Sequence, residues 1–132
     1  MKVLNFYSQV FADQLRHGRK TATIRLGDKS RKYERNDLVL VTIGFKHSPR
    51  ERIFEAVIDD VEVKRLGELS PRDIEHDNPE FRRVDDLMAF LQQIYDRPVS
   101  IDDPVTIVRF SQIAERAMDI EDRLRGTGGA RN

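Results

Sequence analysis

A small α+β fold with a mixed or closed sheet is predicted by three observations. The apolar pattern switches between strand and helix periods in the order β-α-β-β-β-α-α-β. The chain has 132 residues and shows no internal repeat, which fits one domain with its own core. Residues 21–26 alternate strictly, and closure of the sheet would remove the exposed edges that such short strands leave.

Val3-Leu4-Asn5-Phe6 reads as a first strand. Ser8 can then cap a helix through Val10, Phe11 and Leu15, and Gly18 supplies its stop. From Thr21 to Leu26, Thr21, Thr23 and Arg25 share one face, and Ala22, Ile24 and Leu26 share the other. That pattern predicts a half-buried strand with one polar face. Gly27 to Arg35 is a charged connection, and Asn36-Asp37 is a turn signal before a strong strand from Leu38 to Phe45. Lys46 to Glu51, with Pro49, reads as a hairpin loop. Ile53 to Leu66 is β-rich, with a bulge or bend expected at Asp59-Asp60.

Ser70-Pro71-Arg72-Asp73 has the form of a helix start, with Ser70 as N-cap and Pro71 in the first helical position. A second helix is expected from about Val84 to Tyr95, because Leu87, Phe90, Leu91 and Ile94 repeat at helical spacing. Pro98 to Pro104 is a loop, and Val105 to Phe110 is a closing strand. Ile113, Ala117, Ile120 and Leu124 could form one further amphipathic helix before a flexible tail from Gly126.

Composition excludes several classes. There are no cysteines, so disulfides and thiolate chemistry are ruled out, and a reducing cytosol is compatible. No stretch approaches the roughly 20 apolar residues of a membrane span. Met1 to Phe6 lacks the sustained apolar run of a secretory signal. A cytoplasmic protein without membrane contact is therefore expected, as a monomer or weak homodimer. Net charge is zero, yet residues 1–50 carry 11 Lys/Arg against 4 Asp/Glu, and residues 51–108 carry 7 against 15. The basic half either attracts a phosphate backbone or is neutralised by the acidic half within the fold.

Three stretches, in order, resemble the ASCH family. The most specific is Gly18-Arg19-Lys20-Thr21-Ala22-Thr23-Ile24-Arg25 after an apolar helix. The second is Asn36-Asp37 opening a hydrophobic strand, where the family often has Gly-Asp. The third is Leu69 to Asp77, followed by the amphipathic helix and a Val-rich strand. The resemblance spans residues 2–113 and defines a domain at 1–113, with 114–132 as a C-terminal extension. It implies a PUA-like β-barrel of mixed strands with flanking helices, associated with RNA. One branch, the small bacterial N(4)-acetylcytidine amidohydrolases, is similar over the same stretches. There a Lys and a Thr of the first motif and a carboxylate of the third are implicated in removing the acetyl group. Lys20 and Thr23 match the first two. Asp77 falls where that branch has Glu, one methylene shorter.

The same residues can be read as chemistry. Amide hydrolysis needs a nucleophile, a proton carrier and oxyanion stabilisation. Thr23 offers a hydroxyl. Lys20 could be a base only if burial or nearby Arg19 and Arg25 brought it below its ordinary pKa of about 10.4. Protonated, it could instead polarise the amide carbonyl. Asp77 could orient Lys20, protonate the leaving amine or hydrogen-bond the cytosine ring. Arg19, Thr21, Arg25 and Glu75 are candidates for contacting a nucleoside or nucleic acid. The plain alternatives are a solvated turn lysine, threonines on an exposed strand face, an Arg25–carboxylate pair, and surface acids at 75 and 77. His17, His47 and His76 show no metal-ligand spacing, and no Gly-rich phosphate loop or nucleophile elbow appears. Neither a metal nor a cofactor is expected.

Two functions follow. One is recognition of RNA or a modified nucleoside in a polar cleft, with hydrolysis of the acyl amide of N(4)-acetylcytidine as its catalytic form. The other is a non-catalytic RNA-binding module using Arg16, Arg19, Lys20, Arg25, Lys29, Arg31, Lys32 and Arg35, with Tyr7 and Tyr33 as stacking platforms. A protein contact through the 114–125 helix is a third.

Overall fold

The computed structural model describes residues 1–44 and 49–113. Their elements follow the expected order: β1 (Lys2–Phe6), α1 (Val10–Arg16), β2 (Ala22–Leu26), β3 (Leu38–Ile43), β4 (Glu51–Arg65), α2 (Pro71–Asp77), α3 (Val84–Tyr95) and β5 (Pro104–Gln112). A short 3-10 turn, Leu66–Glu68, links β4 to α2. The strands form one mixed sheet in the order β1-β3-β4-β5-β2. β1 runs parallel to β3, and the other pairings are antiparallel.

The sheet curls because β4 is long and bent. Its first half pairs with β3 and its second half with β5. The register shifts between Ile58 and Asp60, the bulge that Asp59-Asp60 signalled. The curl brings the two edge strands, β1 and β2, within reach of one side chain. Arg25 Nη2 on β2 donates to the backbone oxygen of Asn5 on β1 at 2.9 Å.

Two apolar clusters fill the two sides of the sheet. One holds Leu4, Phe6, Val39, Val41, Ile58 and Phe110 with Phe11 and Leu15 of α1. The other packs Ala22, Ile24, Leu26, Val105 and Ile107 against Ile74 of α2 and Leu87 and Leu91 of α3. Each fully buried Leu or Ile of this kind stabilises the fold by about 1.5–3 kcal/mol relative to exposure.

The second cluster explains a correction. The strand expected at 21–26 to carry one polar face begins at Ala22 and is buried on both faces, apart from the half-buried Arg25. Helices α2 and α3 cover the Ala22–Ile24–Leu26 side, while Thr23 is buried on the other. Thr21 lies just outside the strand and is exposed. A second correction concerns α1. Its N-cap is Gln9, and Ser8 stands one residue earlier, where its Oγ accepts from the Val10 N–H at 3.3 Å. Gly18 does end the segment, with φ of +70°, a backbone region that disfavours side chains.

The start of α2 is as the sequence indicates. Ser70 Oγ accepts from the Asp73 N–H at 3.1 Å, and the Asp73 carboxylate accepts from the Ser70 N–H at 3.0 Å. Residues 46–48 of the expected 46–51 hairpin loop and the whole 114–125 helix and tail lie outside the described residues. Among the described residues, no helix is long and apolar enough to cross a membrane.

Candidate functional site

The tight turn after α1 drives Lys20 inward. The N–H groups of Arg19 and Lys20 both donate to the carbonyl of Gln14, at 2.8 and 3.0 Å. This fold-back leaves Arg19 in solvent and Lys20 only 1% exposed. The Lys20 ammonium lies 4.5 Å from the centroid of the Phe11 ring and 5.1 Å from that of Phe6. It donates to Asp77 Oδ1 and to the Ala22 carbonyl, each at 2.9 Å, and to the Asp77 backbone carbonyl. Its three protons are thereby all engaged.

Asp77 is the last residue of α2, and it also serves the edge of β2. Asp77 Oδ1 accepts from the Ile24 N–H at 3.0 Å. One strand residue pair further along, the Leu26 N–H donates to the Tyr95 hydroxyl at 3.2 Å. These two outward N–H groups of β2 are thus satisfied by side chains from α2 and α3 in place of another strand. The second carboxylate oxygen, Asp77 Oδ2, has no protein partner among the described residues.

A cleft of about 730 Å3 opens beside this edge. Its walls come from the end of β1 and the start of α1 (Asn5, Phe6, Tyr7, Ser8, Phe11), from β2 (Thr23, Ile24, Arg25) and from α3 (Phe90, Leu91, Gln93, Ile94, Tyr95). Lys29, Lys32 and Tyr33 of the 27–35 connection and Asp77 complete it. Among the described residues that line it, Asp77 is the single carboxylate, against the three cations Arg25, Lys29 and Lys32. Thr23 Oγ1 accepts from Arg25 Nε at 3.0 Å, and the Arg25 guanidinium lies 4.9 Å from the Phe6 ring centroid. Arg25 therefore pairs with a hydroxyl and a carbonyl rather than with a carboxylate.

Burial pushes the Lys20 pKa below its ordinary value, against the opposing pull of Asp77, with Arg25 adding to the depression. Burial thus overrides the plain reading of Lys20 as a solvated turn residue.

The structure brings Lys20, Thr23, Asp77 and Arg25 together. Thr23, Arg25 and Asp77 line the cleft, whereas Lys20 sits behind it and does not. Arg19, Thr21 and Glu75 are exposed and are not among the cleft residues. Of the basic residues considered for RNA, Arg25, Lys29 and Lys32 reach the cleft, and Arg16 is paired with Glu51 instead. Tyr7 is 50% exposed at the rim, while Tyr33 is 3% exposed and belongs to the core as well as to the wall.

Asn5 was missed by sequence reasoning. It is buried, its Nδ2 donates to the Gly44 carbonyl at 3.1 Å, and its Oδ1 accepts from Thr42 at 2.7 Å. A lone amide between Leu4 and Phe6 in an apolar strand was the available signal. Among the described residues, no three His, Asp or Glu side chains are grouped to hold a metal ion.

No family model matches the chain, and no curated protein matches it in sequence. Solved structures do. The hypothetical protein PH0355 aligns with a TM-score of 0.62 at 16% identity, over 86% of this chain and 100% of its own. EF3133 of Enterococcus faecalis, which carries the family designation DUF984, aligns with a TM-score of 0.62 at 13% identity, over 85% of this chain and 79% of its own. An ASCH domain from Lactobacillus crispatus aligns with a TM-score of 0.58 at 14% identity, over 84% of this chain and 79% of its own. At such identities the likeness is one of fold. The curled five-stranded mixed sheet with its helices is an α+β fold like that of the ASCH domain structure, its edge strands β1 and β2 bridged by a side chain and not paired into a closed barrel.

Proposed function

We propose that the cleft recognises a single base of RNA or of a modified nucleoside. The observation that carries this reading is the composition of its wall. Tyr7, Phe11, Tyr33, Phe90 and Tyr95 offer aromatic surface around a polar patch of Thr23, Arg25 and Asp77. The volume of about 730 Å3 lies within the roughly 300–1,000 Å3 typical of small-molecule sites. A base stacked on an aromatic side chain gains about 1–3 kcal/mol, and its edge then needs fixed donors and acceptors. Asp77 Oδ2 can accept from an exocyclic amine, and the Arg25 guanidinium can donate to a ring carbonyl.

Hydrolysis of N(4)-acetylcytidine is the second reading, favoured by the presence of both Thr23 and Asp77 in the lining of the cleft. In this reading Thr23 Oγ1 attacks the acetyl carbon, and its proton passes to Asp77 Oδ2. Asp77 then returns the proton to the departing cytosine amine, and water releases acetate from Thr23. Lys20 holds Asp77 through Oδ1 and the backbone carbonyl, a positioning role that matches its seat behind the wall.

The experiment is to incubate the protein with N(4)-acetylcytidine and follow both binding, by calorimetry, and cytidine release, by chromatography. Release that is lost in Thr23→Val supports hydrolysis, since valine keeps the shape and removes the hydroxyl. Binding without release leaves recognition alone. Absence of binding to the nucleoside and to single-stranded RNA containing it would sink both readings.

A further inference from the structure

A second cavity, of about 340 Å3, adjoins the cleft and shares Asn5, Tyr7, Arg25, Lys32 and Tyr33 with it. Its own additions are Val3 and two cations, Lys2 and Arg50. Lys2, Arg25, Lys32 and Arg50 thus line one small space, with no carboxylate among its described lining residues. This is not for want of acids, since the chain has as many Asp and Glu as Lys and Arg.

Their commitments differ. Lys2 is paired with Asp37 at 2.6 Å, outside the cavity lining. Arg25 uses Nε and Nη2 on Thr23 and Asn5, and its Nη1 has no partner among the described residues. Lys32 and Arg50 have no carboxylate partner among the described residues, and the Lys32 ammonium lies 5.4 Å from the Tyr33 ring centroid. Converging cations repel one another, and an anion seated among them converts that repulsion into attraction. A phosphate group, with its several acceptor oxygens, fits planar and point-charge donors of this kind.

We propose that this cavity is the phosphate subsite of the cleft, so that the ligand is a nucleotide unit whose base enters the large cavity and whose phosphate enters the small one. The proposal rests on the base-recognition reading above. It names a phosphorylated nucleoside or an RNA strand as the ligand class and makes a free nucleoside the poorer ligand. The shared Arg25 and Tyr33 wall is where base and phosphate ends meet.

The test compares dissociation constants, by calorimetry on the whole chain, for N(4)-acetylcytidine, its 5′-monophosphate and a short oligoribonucleotide containing it. One charge-assisted contact to phosphate is expected to tighten binding about tenfold over the nucleoside. That ratio should shrink between about 50 and about 200 mM salt, and fall in a Lys2→Gln/Arg50→Gln double variant, whose changed residues are not part of the base cleft. A gain for both phosphorylated probes supports the subsite for either form of phosphate, and a gain for the monophosphate alone supports a terminal phosphate as the ligand group. A gain for the oligoribonucleotide alone supports a phosphodiester. Equal binding of all three overturns the subsite while leaving base recognition standing. Failure of every probe to bind overturns both.

Discussion

Lys20 and Asp77 stand 57 residues apart in the chain, and the ammonium of the first binds both the carboxylate and the backbone carbonyl of the second. This pair ties the turn after α1 to the end of α2 and fixes the wall of the cleft between them. With Asp77 Oδ1 also holding the Ile24 N–H, the carboxylate has one oxygen for the fold and one for a ligand.

The pair should behave as a buried unit. Lys20→Met keeps most of the volume and leaves the Asp77 carboxylate without its cation, at an expected cost of about 3–5 kcal/mol in urea unfolding. Adding Asp77→Asn removes the stranded charge, so the double variant should recover part of that loss. A double variant whose cost equals the sum of the single costs would show that the two residues do not act on each other.

Acid stability should depend on Asp73. Burial by itself would raise its carboxyl pKa, but the N–H and hydroxyl of Ser70 and the Lys64 ammonium outweigh burial and hold it below 3.8. Between 3.8 and the lower folded value, the unfolded chain binds the proton and the folded chain does not. Stability is therefore fully present above that window and falls as pH falls through it. Asp73→Asn should flatten the slope of stability against pH below about pH 4, measured by denaturant titration. An unchanged slope would remove Asp73 from the acid response.

Much of this architecture was legible in the sequence because it rests on local rules. The Ser70-Pro71 start, the Val84–Tyr95 helix and the Asp59-Asp60 bulge each follow from residue type and spacing, and each appears where expected. The cleft was only partly legible. Lys20 and Thr23 lie close together in one motif, but their burial depends on α2 and α3 folding back over β2. The polar alternation of Thr21, Thr23 and Arg25 pointed to solvent, whereas the curl of the sheet turned Arg25 toward β1. Tyr95, Phe90 and Asn5 enter through long-range packing, which periodicity does not carry.

The cap of α2 is expected to matter beyond its own helix. This helix has seven residues, too few to persist without its ends being satisfied, and its last residue is Asp77. Ser70→Ala removes the acceptor for the Asp73 N–H and should cost about 0.5–2 kcal/mol. Ser70→Asp, which restores an N-cap acceptor, should recover most of it. Ligand affinity should follow the same order, because fraying of α2 releases Asp77 from the Ile24 N–H. Equal affinity in all three proteins would separate the cap from the site.

Arg25 joins the two edges of the curled sheet through groups that only a guanidinium can present together. Nε reaches Thr23 Oγ1 at 3.0 Å and Nη2 reaches the Asn5 carbonyl at 2.9 Å, while the plane lies over the Phe6 ring. Lysine keeps the charge but has one nitrogen, so Arg25→Lys should lose at least one of the two contacts, about 0.5–1.5 kcal/mol of stability. The larger effect should be on the cleft. With Thr23 Oγ1 no longer fixed from β2 and β1 no longer drawn toward it, affinity for the nucleoside should fall by about tenfold, since one directed contact to a polar ligand is worth that much. Calorimetry on the two proteins reads the difference directly. A Lys variant that binds as tightly as the parent would mean that charge alone, rather than the bridge between β1 and β2, is what Arg25 supplies.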